Sequence, residues 1–260
     1  MRTGHTAHFL LFLIAPAISC FSQDSTTHRS LFHDGIDARM DIAYLATRDD
    51  HVSDQKYSGP ATSFALRWSD FHETYGFRLG MTYERASDIK NYNVSSEVTG
   101  GTFELADLYP IGRTELFSHD VFAALGPTAE AFMYYRKQHI AQNSDANPQI
   151  YESGAWMFSL GARMEAVLAF RGGLRIDAAL QTSVLSLGGG SGSSSGGSTP
   201  VTLLTPLAGL RCSVECGVAY EFLSAVSVAV GYRLQITRID SWNYLLTASD
   251  NGFLSIGCYF

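Results

Sequence analysis

From about Gly35 to the end of the chain, apolar and polar residues alternate with a period of two. The stretch Trp156–Phe170 shows this most cleanly. Phe158, Leu160, Ala162, Met164, Ala166 and Leu168 fall on one face, and Ser159, Gly161, Arg163 and Glu165 on the other. Such alternation is the signature of a strand with one apolar face. It recurs in Ile36–Thr47, Ala61–Ser69, Tyr75–Arg85, Thr99–Ile111, Val121–Tyr135, Leu174–Ser186, Leu210–Phe222, Val226–Ile236 and Phe253–Phe260. The pattern predicts about ten strands.

The connections between these segments alternate in length. Residues 48–60, 86–98, 136–155, 187–209 and 237–252 form long ones, and 70–74, 112–120, 171–173 and 223–225 short ones. Short turns at one end and long loops at the other mark an up-and-down barrel that crosses a membrane. An even strand count puts both ends of the barrel on the periplasmic side, with the long loops extracellular. One loop carries the Gly/Ser-rich run 188–198, whose composition predicts a flexible segment.

Composition decides between a membrane barrel and other strand proteins. Hydrophobic residues make up 46% of the chain and charged residues 17%, yet the mean hydropathy is only +0.02. Beyond the N-terminal segment no apolar run is long enough for a spanning helix. In hydrocarbon every backbone N–H and C=O needs a partner, so a spanning sheet must close on itself. The expectation is an all-β fold: a closed antiparallel up-and-down transmembrane β-barrel of about ten strands.

The apolar face then points to lipid, with Trp68, Tyr109, Trp156 and Tyr220 near segment ends, where aromatic girdles belong. The opposite face is charged. Its cations are Arg39, Arg67, Arg78, Arg163, Arg175, Arg211 and Arg233, and its anions Asp37, Asp41, Glu84, Glu104, Glu130, Glu165, Asp177, Glu215 and Glu221. Buried charges must pair or stay wet. Side chains already fill an eight-stranded barrel, and ten strands add little width. A network of paired charges with small water cavities is expected, not a wide channel. Asp107 breaks the rule inside a strand by falling on the lipid face. It lies toward the short-turn end, or a bulge turns it away.

The first residues read as an address. Residues 9–19 form a short apolar core after Arg2, followed by a small-residue cleavage site. The expected division is a signal peptide at 1–22, a periplasmic tail at 23–35 and the barrel at 36–260. A second reading makes Cys20 a lipidated residue. Cys212 and Cys216 are four apart on one strand, about 13 Å, too far for a disulfide. Net charge is −7 with no basic patch, which argues against nucleic acid as a partner.

The chain ends Phe253-Leu-Ser-Ile-Gly-Cys-Tyr-Phe260, with alternating apolar residues and a terminal Phe. This resembles the C-terminal signal of bacterial outer-membrane β-barrel proteins. The mature chain as a whole resembles the small monomeric members of that superfamily. The resemblance implies recognition of Leu254, Ile256, Cys258 and Phe260 by the barrel-assembly machinery. It also implies outer-membrane lipid as a partner and no cofactor, and it carries over no catalytic residues.

Two clusters of residues carry candidate chemistry. Ser118-His119-Asp120 are adjacent and cannot fold back into a triad. Asp49-Asp50-His51 stands at the rim where outer-membrane aspartyl-type proteases carry Asp pairs, but a second Asp-His pair is missing and Asp240 is isolated. With Asp54 these residues are also a weak divalent-cation candidate. The expectation is a non-enzymatic, porin-like outer-membrane barrel with a structural, surface-adhesive or narrow transport role. Its external ligand is unspecified, and no metal site or catalytic residue is assigned. The alternatives are a lipid- or peptide-hydrolysing barrel and a soluble lipocalin-like binding barrel.

Overall fold

The computed structural model describes residues 34–49, 53–71, 75–91, 94–116, 119–140, 149–170, 172–192, 201–222, 225–240 and 244–259. The expected signal peptide, Cys20, nearly all of the tail and Phe260 lie outside them. No described helix is long and apolar enough to cross a membrane.

The strands are β1 (Gly35–Asp49), β2 (Ser53–Phe71), β3 (Gly76–Asn91), β4 (Val94–Leu116), β5 (His119–Ile140), β6 (Gln149–Ala169), β7 (Leu174–Gly192), β8 (Thr202–Leu204), β9 (Gly209–Phe222), β10 (Val226–Asp240) and β11 (Tyr244–Tyr259). All neighbours are antiparallel. β1 pairs with β11 and β6 with β7, so ten strands close into a ring and β8 stands outside it on the edge of β7. Gly35 is the register partner of both Tyr259 and Ser69, which puts the first and last strands together at the short-turn end. The turn from β6 to β7 uses Gly172 (φ 89) and Gly173 (φ 86), a left-handed backbone that favours glycine.

The faces fall as the alternation predicts. Met40, Phe64, Met81, Phe103, Leu160, Ile176, Val218, Val230 and Leu254 are exposed on the outside of the ring, and the charged set faces in. This outer band needs only nine or so residues per strand, enough to cross about 25 Å of hydrocarbon at the usual tilt. The strands are longer than that. β4, β5 and β6 have 23, 22 and 21 residues. A strand of 22 residues rises roughly 55 Å at a tilt of about 40°.

The expected long loops are therefore a correction: most of them are strand. Only residues 50–52, 92–93 and 241–243 separate β1 from β2, β3 from β4 and β10 from β11. The strands run on past the apolar band, and there the pattern reverses its phase. Leu45, Tyr57, Ile89, Val98, Tyr134, Met157, Ile239 and Leu245 point inward and form an apolar core across the lumen. Lys56, Asp88, Lys90, Glu97, Lys137 and Glu152 point outward. The period of two continues while its meaning inverts: apolar outside and charged inside below, charged outside and apolar inside above. A smaller apolar cluster of Ala106, Leu108, Ala124 and Val167, flanked by Phe71 and Phe122, sits inside the short-turn end.

Asp107 stays on the outer face near that end. No bulge turns it inward; the register shifts only beyond it, between Pro110 and Gly112. The Tyr109 hydroxyl donates to its carboxylate at 2.7 Å.

Candidate functional site

Between the two apolar clusters lies the charged storey. Asp41 is fully buried and collects three donors: Arg39 Nε at 2.5 Å, Arg233 Nη2 at 2.7 Å and the Ser63 hydroxyl at 2.8 Å. Arg39 also reaches across the lumen to Glu215 at 2.8 Å, while its guanidinium stacks on the Phe253 ring at 3.7 Å. Glu215 receives Arg67 at 3.7 Å as well.

A second group centres on Arg163, which meets Glu165 at 2.5 Å and Glu104 at 3.2 Å and donates to Gln181 at 2.7 Å. Arg78 adds a further charged contact to Glu165. Arg211 holds Glu130 at 3.1 Å, Thr237 at 2.9 Å and Thr102 at 2.7 Å, so β9 is tied to β5, β10 and β4. Arg175 pairs with Asp177 at 2.9 Å and Glu221 at 3.4 Å and donates to the Tyr259 hydroxyl at 3.2 Å. Glu84 faces the same interior but leaves its Oε1 without a partner, as Arg233 leaves its Nε. The network is thus built almost wholly of the residues that the alternation placed inside.

These pairs are structural necessities as much as ornaments of a site. A charge stripped of water costs several kcal/mol unless a partner and hydrogen bonds replace its hydration. A cavity of about 130 Å³ remains among Asp37, Arg67, Asp177, Glu215 and Tyr259. It is polar and roomy enough for water.

The lumen closes above this cavity. Asp49 on β1 and Ser153 on β6 sit five strands apart in either direction around the ring, yet the Ser153 hydroxyl donates to the Asp49 carboxylate. Thr47 and Tyr134 bond across at 3.0 Å, and Gln138 donates to the Tyr57 hydroxyl at 3.1 Å. Arg136, fully buried at 0% exposure, stacks on the Tyr57 ring at 4.1 Å and donates to Ser96 and Gln138. Sequence reasoning missed this layer because it assigned residues 136–155 and 48–60 to loops. The available signal was the spacing of Tyr134, Arg136 and Gln138, which keeps the period of Thr128 and Glu130 below.

The candidate chemistry does not assemble among the described residues. His119 stacks with Phe170 at 4.5 Å, and Asp120 is its neighbour on an extended strand, so the two point to opposite faces. Ser118, Asp50, His51 and the Asp54 side chain lie outside the described residues. Asp49 is taken up by Ser153, and Asp240 by Arg238 at 2.8 Å. No described cluster of His, Cys, Asp and Glu has the geometry to hold a metal. Cys212, Cys216 and Cys258 form no disulfide. Leu254, Ile256 and Cys258 line the outer face of β11.

No family model and no curated protein matches the sequence. Solved structures do match the fold. The outer membrane protease OmpT from Escherichia coli is similar with a TM-score of 0.54 at 8% identity, covering 91% of this chain and 100% of that one. The translocator domain of the autotransporter NalP from Neisseria meningitidis gives a TM-score of 0.48 at 10% identity, covering 98% and 96%. Ail, the attachment invasion locus protein of Yersinia pestis, gives 0.34 at 8%, covering 88% and 100%. All three likenesses lie at 10% identity or below, so they bear on architecture alone. With its ring of antiparallel strands closed between β6 and β7, the chain has the fold of the bacterial outer-membrane β-barrel proteins.

Proposed function

We propose that this protein is a sealed, non-conducting and non-enzymatic outer-membrane barrel. In this reading its long strands present a rigid surface outside the cell, in a structural or adhesive role. The observation that carries the reading is the set of bonds across the lumen, above all Ser153 to Asp49 between opposite walls. A channel needs a continuous wet path, and here a charged storey sits beneath an apolar one. In this reading β1 and β11 begin and end on the periplasmic side. The extensions beyond the apolar band, with Lys56, Glu97, Lys137 and Glu152 outward, face the medium.

The test is liposome swelling with the refolded full chain, together with labelling of intact cells. Liposomes carrying the protein are expected not to swell in arabinose. A Lys137→Cys variant is expected to react with a membrane-impermeant maleimide from outside, while Asp120→Cys, exposed at the short-turn end, is not. Swelling at the rate of a porin control contradicts the sealed interior, and the opposite labelling contradicts the orientation.

A further inference from the structure

One part of the wall is built differently from the rest. The ladder between β7 and β9 ends at Thr182 opposite Cys212. Above that point β7 keeps β6 on one edge, but its other edge carries only β8, three residues long, paired as Ser186 to Leu204, Leu187 to Leu203 and Gly188 to Thr202. Serine side chains stand in for the missing ladder. Ser183 Oγ accepts from the Arg211 N–H at 2.7 Å and donates to the Gly209 carbonyl at 3.1 Å, and Ser186 Oγ donates to the same carbonyl at 2.8 Å. A register shift opposite Leu160 leaves both Val184 and Leu185 facing out.

This segment is also apolar on both sides. Outside, Val201, Leu203 and Leu207 are 66%, 64% and 75% exposed, continuous through Leu187 and Leu185 with the band that faces lipid. Inside, Leu204 is buried in the upper apolar core with Ile239, Met157 and Leu245. The seat is tight and depends on missing side chains. A Cβ on Gly188 would stand 2.9 Å from Leu204, and one on Gly209 would stand 2.6 Å from it. Lower in the wall the inner face is charged; here apolar residues lie on both faces, and among the described residues β8 stands between them.

We infer that β8 is a lateral flap, and that an unbranched hydrocarbon chain from the membrane enters beneath it. The chain displaces Leu204 and lies against Ile239, Met157 and Leu245. The ligand class is the acyl tail of a lipid, recognised by apolar contact and chain shape without a polar anchor. The inference rests on the membrane reading above.

The experiment uses the full chain, deuterated with protonated Ile and Leu methyls, in dodecylphosphocholine micelles whose dodecyl chain is the probe. Nuclear Overhauser contacts from that chain are expected at the buried methyls of Ile239 and Leu245 as well as at the outer Leu160 and Leu254. A second sample carries Leu187→Cys and Leu203→Cys, a cross-strand pair that pins β8 from outside. In it Cys20, Cys212, Cys216 and Cys258 are replaced by Ala. Oxidation is expected to weaken the interior contacts at least five-fold, and reduction to restore them, with the outer contacts unchanged. Outer contacts without interior ones in the wild type overturn the lateral site alone, as do interior contacts that survive the closed disulfide. Absence of contacts at Leu160 and Leu254 overturns the membrane reading along with it.

Discussion

The lower and upper halves of this barrel share the same strands, yet they bury opposite kinds of residue. In the lower half Phe158, Leu160 and Met164 face out, and Arg163 and Glu165 face in. On the same strand higher up, Met157 and Ser153 face in and Glu152 faces out. The ladder is indifferent to this change, because backbone groups are satisfied in either setting. In the membrane reading proposed above, what differs is the medium outside the wall. Lipid accepts no charge, so polar residues needed to fill the lumen must pair with each other. Water accepts charge readily, so the upper lumen can be filled like an ordinary apolar core. In that reading one wall serves as a membrane protein below and a soluble barrel above.

The sharpest way to break this comparison is to remove one partner from a lower pair. Glu165→Ala takes a carboxylate from both Arg163, which keeps Glu104, and Arg78, which keeps only the Ser69 hydroxyl among its bonds described. Such a change is expected to cost about 3–5 kcal/mol, read from urea unfolding in lipid vesicles. A loss under about 1 kcal/mol would show that water already hydrates these groups, since exposed pairs contribute no more than that. In the upper half the matching deletion is apolar. Ile89→Ala, at a site with 0% exposure, is expected to cost about 2–5 kcal/mol through lost burial and the cavity left behind.

A third pair of variants compares the outer surfaces directly. Leu160→Arg places a cation in the lipid-facing band and is expected to cost about 2–4 kcal/mol. Glu97→Arg, outward in the upper half, is expected to shift stability by no more than about 0.5 kcal/mol. Equal effects in unfolding titrations would erase the boundary between the halves. An effect between these two is expected at the Asp107 exception. Tyr109→Phe removes its 2.7 Å hydrogen bond and is expected to cost about 1 kcal/mol. No change there would mean that headgroups or water satisfy Asp107 unaided.

The same comparison explains what the sequence revealed. The faces of the lower strands were readable because lipid enforces a strict rule on every second residue. Asp107 was the one in-strand exception, and it survives with a tyrosine beside it. The upper half was not readable as strand. Tyr57, Ile89 and Val98 stand singly among polar residues, so the phase reversal looks like the end of alternation and the start of a loop. β8 was hidden for another reason: three residues between Pro200 and Pro206 carry no period at all. The charged interior was legible as a set of residues, but its pairing was not. Partners such as Arg39 and Glu215 are far apart in sequence and meet only because the ring closes. Arg136 was missed with its whole layer, although it carries the spacing of the strand below.

The central claim is that the lumen is closed by bonds between opposite walls. Planar-bilayer recording of the refolded full chain tests it most directly, with heat-modifiable gel mobility on the same sample to show that the barrel is folded and inserted. The account predicts a compact, fast-migrating form with no unitary conductance steps at any applied voltage. Discrete, repeatable conductance steps from that same folded form would contradict it.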